Sequence, residues 1–129
     1  MSPEQGNGAD VLAVAADLMF ASRIRGAAAT AGAAVAFART RQDALGRARA
    51  AHPRLILLDL DAVGVDPPEL IRALKTDPGT GAVPIVAFGA HVRGEALRAA
   101  REAGADRVLA RSRFVQELPA LLSGAVRQP

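Results

Sequence analysis

Residues 55–60 read Leu-Ile-Leu-Leu-Asp-Leu, four large aliphatic side chains in a row closed by a carboxylate. A segment apolar at every position, not at alternate ones, fits a strand covered on both faces, the situation of parallel sheets flanked by helices. Parallel strands need crossover connections, so a chain built around this segment must alternate strands with helices. The carboxylate is the second constraint. At the end of so apolar a strand, Asp59 needs a cation, a metal or hydrogen-bond donors, because burying it alone is costly.

The rest of the chain supplies the alternation. Short apolar runs at Val11–Ala15, Ala34–Ala38, Val83–Phe88 and Asp106–Ala110 read as four further strands. Between them, helices are predicted over Leu18–Ala31, Arg41–Ala51, Pro67–Lys75 and Arg93–Ala103, with a last helix over Phe114–Val126. Helix signals agree with these bounds: Gly32 and Gly104 as stops, Thr40 as an N-cap, and Pro67-Pro68 in a first turn. His52-Pro53 ends the second helix, where a protonated imidazole suits the helix dipole. Met19 and Phe20 open the first helix, with Phe20 read as a solvent-facing aromatic. Residues 1–9 read as a disordered leader and 10–127 as one domain.

Five strand–helix units predict an α/β fold, a flavodoxin-like (βα)5 three-layer sandwich with a parallel sheet in the order 2-1-3-4-5. In such a sheet the site lies at the carboxyl ends of the strands, around the first and third. That rule gathers Asp17, Asp59, Gly89, Ala90 and Arg111, residues far apart in sequence.

Composition narrows the chemistry. The 129 residues include no Cys, which excludes a disulfide scaffold, a thiolate metal site and a thiol nucleophile. Thirty residues are alanine and only four are aromatic, all Phe, so a core mainly of Ala, Val, Leu and Ile is expected. The net charge is +3, with acids and bases interspersed, and few rings are available for stacking, which argues against nucleic-acid binding. No run approaches the ~18 apolar residues of a membrane helix, and the N-terminus lacks a signal pattern, so a cytoplasmic protein is expected. Gly79-Thr80-Gly81 lacks the Lys and helix of a phosphate loop, and His91 reads as a surface-loop histidine.

Several stretches, in order and spacing, resemble bacterial response-regulator receiver domains across residues 11–126. They are Leu55–Leu60, then Asp66 with Glu69-Leu70, then Val83-Pro84-Ile85-Val86, then Ala103-Gly104-Ala105-Asp106, and finally Phe114 with Glu117-Leu118. The resemblance implies that Asp59 stands at the position accepting a phosphoryl group from a histidine kinase. It places Asp17 on the second of two acidic positions that help bind Mg²⁺, and Ala16 on the first. Gly89, followed by Ala90, falls where a hydroxyl is expected, Val108 where a switch aromatic is expected, and Val63 where the loop Pro is expected. Arg111, followed by Ser112, falls on the position of a Lys.

Asp17, Asp59 and the backbone carbonyl of Asp61 are therefore the candidate metal ligands, with Mg²⁺ held weakly for want of a carboxylate at Ala16. Arg111, Gly89 and Ala90 are candidate binding residues, and the fork of Arg111 suits a clamp on Asp59. The expected function is an atypical (pseudo-receiver) single-domain signalling protein of a two-component system. It is not an enzyme beyond self-directed phosphoryl transfer to Asp59, and it acts by contact with signalling proteins in trans, a histidine kinase or an effector. A face on the last two helices and the fifth strand, basic through Arg93, Arg98, Arg101, Arg107 and Arg113, is the contact surface the resemblance implies, and homodimerisation stays open. One alternative is a working phosphorelay receiver using Asp59 and Mg²⁺. A more distant one is a flavodoxin-like small-ligand binder, which would lack a Gly-rich first turn at Ala16-Asp17-Leu18.

Overall fold

The computed structural model describes residues 8–62, 64–90 and 94–126. Val63, His91 and Arg93 lie outside the described residues, as do positions 1–7 of the expected leader. Five strands form one parallel sheet: β1 (Val11–Val14), β2 (Val35–Ala38), β3 (Leu55–Asp59), β4 (Ile85–Gly89) and β5 (Arg107–Ala110). Their order is β2-β1-β3-β4-β5, as expected. The connecting helices are α1 (Leu18–Ala31), α2 (Arg41–Ala51), α3 (Pro67–Thr76) and α4 (Gly94–Ala103), and α5 (Arg111–Ala125) follows β5.

Alternate side chains of the central strands feed two separate cores. Leu12, Val14, Ile56, Leu58 and Ile85 pack with Leu45 of α2, Leu70, Ile71 and Leu74 of α3 and Ala100 of α4. Val11, Ala13, Leu55, Leu57 and Val86 pack on the other face with Ile24 and Ala28 of α1 and Leu118 and Leu122 of α5. Double coverage is why β1 is apolar at every position and β3 at every position before Asp59.

The second core corrects one expectation. Phe20 is buried, not solvent-facing. It stacks on Phe88 at 4.9 Å and Phe114 at 5.7 Å between ring centroids, and Phe88 lies 3.9 Å from Phe114. The core is mainly Ala, Val, Leu and Ile, as expected, with three of the four Phe buried on this face. Phe20 lies four residues before Ile24 and eight before Ala28, so the stripe that buries them buries it too.

Helix ends follow local chemistry. The Thr40 hydroxyl accepts from the Asp43 N–H at 3.1 Å, and the Asp66 carboxylate accepts from the Glu69 N–H at 3.3 Å. Gly32 adopts the left-handed conformation, φ 76°, that closes α1. Two boundaries depart from the sequence reading. The Val83 N–H turns back to the Thr80 carbonyl, so β4 begins at Ile85. α5 begins at Arg111, three residues earlier than expected and directly after β5, which makes Arg111 a helical residue.

Among the described residues no helix is long and apolar enough to cross a membrane. At the amino end of the sheet, Asp106 accepts from the Ile85 N–H at 2.7 Å and from the Lys75 ammonium at 2.8 Å. Lys75 also donates to the Val83 carbonyl at 2.9 Å. The Ala103-Gly104-Ala105-Asp106 stretch is thus a structural brace, and Gly104, at φ 118°, turns the chain into it.

Candidate functional site

β3 delivers Asp59 to the carboxyl edge in register with Phe88 of β4. Asp59 is only 2% exposed. Its Oδ1 accepts from the Asp61 N–H at 2.8 Å, an Asx-type turn that starts the following loop. Burial pushes the Asp59 carboxyl above its ordinary range. The Asp61 N–H opposes that push, the Asp61 carboxylate adds to it, Arg111 opposes it, and Asp17 adds to it. A carboxyl perturbed in this way, at the end of a parallel strand, has the character of a functional group.

Asp17 stands at the end of the β1 connection and caps α1. Its Oδ1 accepts from the Met19 N–H at 2.8 Å and the Phe20 N–H at 3.3 Å. The cap leaves Leu18 and Met19, 76% and 83% exposed, projecting beside the site.

Arg111 does not clamp Asp59. Its guanidinium lies over the Phe20 ring at 4.8 Å, and its Nη2 is 3.8 Å from Oδ2 of Asp61. Two facts account for this. Asp59 is buried with one oxygen already engaged, and the early start of α5 fixes the Arg111 stem above the aromatic cluster.

The Asp61 carboxylate is the residue sequence reasoning missed, having considered only its backbone carbonyl. Its Oδ2 accepts from the Ala90 N–H at 2.7 Å. The available signal was the Asp59-Leu60-Asp61 spacing, which sets two carboxylates on one turn. Gly89 contributes no hydroxyl. A Cβ there would meet Leu60 Cβ at 3.5 Å and Asp61 Oδ2 at 3.7 Å, ordinary contacts, so glycine is not sterically required. Val108 is buried in the core shared with α2–α4.

No family model and no curated protein matches the chain. Solved structures do. A protein from Chloroflexus aurantiacus described as a response regulator is 26% identical, with TM-score 0.80 over 92% of this chain and 98% of that one. The chemotaxis response regulator CheY4 of Vibrio cholerae is 21% identical, with TM-score 0.78 over 93% and 100%. The chain has the fold of a response-regulator receiver domain.

Within the receiver fold, Asp59, Asp17, Gly89-Ala90 and Arg111 all lie at the carboxyl edge that the sequence reading singled out. A divalent cation is what this fold implies there, and the response regulator Rcp1 has been solved in a Mn²⁺-bound form (20% identity, 88% of each chain, TM-score 0.71). The donors of this chain do not match that requirement. Among the described residues no three His, Asp or Glu side chains are grouped to hold a metal, and Ala16 offers no carboxylate. Asp17 is engaged with its own helix, and Asp61 is turned toward Ala90.

Proposed function

We propose that this receiver domain is an atypical signalling module that works mainly through protein–protein contacts, with phosphorylation of Asp59 weak or absent. The observation that carries the reading is at the end of β4. Position 89 has no hydroxyl, and the neighbouring Ala90 N–H is already bonded to the Asp61 carboxylate. Phosphoryl transfer to a carboxylate depends on positioning and on neutralising the charge of the transferred group. Here the donors that would do so are missing or engaged, and the metal ligands are incomplete. Val108, stiff at χ1 and without a ring, gives a phosphoryl group little purchase on β5.

The partner surface is proposed on α4, in a cytoplasmic setting with a kinase or effector as partner. Arg107 and Arg113 both pair with Glu117 at 2.7 Å, which leaves Arg98 and Arg101 as the exposed cations on this face without an ion pair among the described residues. The working phosphorelay receiver is the competing reading, favoured by the buried Asp59 with Asp17 nearby. Acetyl phosphate with Mg²⁺, read by intact mass, decides. No adduct is expected, whereas an adduct of one phosphoryl group that is lost in Asp59→Asn would establish phosphorelay chemistry.

A further inference from the structure

Asp61 is solvent-accessible, its side chain 47% exposed, yet its carboxylate is spent inside the molecule. Oδ2 bonds the Ala90 N–H at 2.7 Å, the short distance of a charge-assisted bond, and faces Arg111 Nη2 at 3.8 Å. The Asp61 N–H meanwhile holds Asp59 at 2.8 Å. One residue thus joins the end of β3, the end of β4 and the first turn of α5.

The two groups that receive its charge, a backbone N–H and a guanidinium, make up an oxyanion site. Asp61 fills this site incompletely. Its contact with Arg111 is beyond hydrogen-bond length, and Arg111 Nε is buried with no hydrogen-bond partner among the described residues. A tetrahedral oxyanion carries more acceptor oxygens than one carboxylate arm and offers them to Arg111 Nη2 and the Ala90 N–H together. The missing side chain at Gly89 leaves nothing interposed between Asp61 and the β4 end.

We propose that Asp61 is a resident intramolecular anion that competes with an external oxyanion for the Ala90 N–H and the Arg111 guanidinium, and so latches the β3, β4 and α5 ends together. The apparent affinity for any external oxyanion is then reduced by the small fraction of molecules in which Asp61 is detached. This deepens the proposed function, since the latch accounts for poor acceptance at Asp59, but its test needs no phosphoryl transfer.

The full chain, ¹⁵N-labelled, is titrated with inorganic phosphate at constant ionic strength while the Ala90 amide is followed by NMR. Wild type is compared with Asp61→Ala and the near-isosteric Asp61→Asn. Asp61 sits on an exposed turn, and the remaining amide resonances report that each variant is folded. In Asp61→Ala, exchange of the Ala90 amide with solvent is expected to quicken about tenfold or more, and phosphate should saturate its shift at about tenfold lower concentration than in wild type. Asp61→Asn should fall between the two. Arg111→Gln placed on Asp61→Ala should remove the phosphate response.

Equal Ala90 exchange in wild type and Asp61→Ala overturns the latch, as does phosphate binding that differs less than about threefold between them. A response that survives loss of Arg111 marks an adventitious ion only and overturns the site. An adduct with acetyl phosphate would sink the proposed function while leaving this titration unchanged, so the two failures are told apart.

Discussion

Asp59 and Glu117 are carboxylates shifted in opposite directions, and the difference fixes how each responds to pH. Burial raises the Asp59 carboxyl above its ordinary 3.8, so ionised Asp59 opposes folding. That opposition is complete above the folded-state value, fades as pH falls through it, and is gone below 3.8. Asp59→Asn keeps an acceptor for the Asp61 N–H and removes the charge. It is expected to raise Tm by a few degrees at pH 8, with the gain shrinking toward pH 4, as thermal unfolding at several pH values would show. Glu117 lies between Arg107 and Arg113, whose guanidinium groups lower its carboxyl from 4.5 to about 2. Its contribution to stability is therefore present above 4.5 and lost as pH falls toward 2. Carboxyl NMR should find its midpoint near 2 in wild type and close to 4.5 when both arginines are replaced by Gln; a midpoint near 4.5 in wild type would mean the pair is not formed in solution.

At the scale of elements, what the sequence made legible was whatever local chemistry decides. Gly32, Thr40 and Asp66 set helix ends through their own side chains or backbone, and those ends can be read from a few residues. The start of α5 could not be read this way. Ala110 offers no capping side chain, so nothing local marks Arg111 as the first helical residue. The start instead follows from Phe114 having to reach the Phe20–Phe88 stack while Leu118 and Leu122 reach the same core. α5 also tolerates Pro119 in its interior, where the ring removes the N–H that would donate to the carbonyl four residues earlier. Pro119 is exposed, so replacing it should relieve the helix without opening a cavity. Pro119→Ala is expected to stabilise the fold by about 2 kcal/mol, the restored helical geometry and bond outweighing the gain in unfolded-chain entropy. Urea denaturation would read this as a higher midpoint at constant slope.

Across the whole molecule, the parallel sheet divides labour between its two ends. Its order was legible because every strand is followed by a helix and every crossover has one hand. The carboxyl-edge position of Asp59, Asp17 and Arg111 came from the same rule. The pairing of Asp61 with Ala90 was not legible, because the two are 29 residues apart and meet only after β3 and β4 have paired. The amino end carries the opposite kind of group. Asp106, Lys75, the Ile85 N–H and the Val83 carbonyl brace α3 against β4 and the start of β5, far from the site. Burial disfavours the charged form of Asp106, but the Lys75 ammonium and the Ile85 N–H outweigh it and hold the carboxyl below its ordinary 3.8. The brace therefore stabilises above that value and weakens as pH falls below it. Asp106→Ala leaves a buried N–H on Ile85 without its acceptor and should cost about 1–3 kcal/mol. Because the two ends share only the rigid sheet, the Ala90 amide shift and its exchange rate should stay at wild-type values in that variant. If Ala90 exchange quickened along with the loss of stability under native conditions, the division of the sheet into a bracing end and a candidate-site end would be wrong.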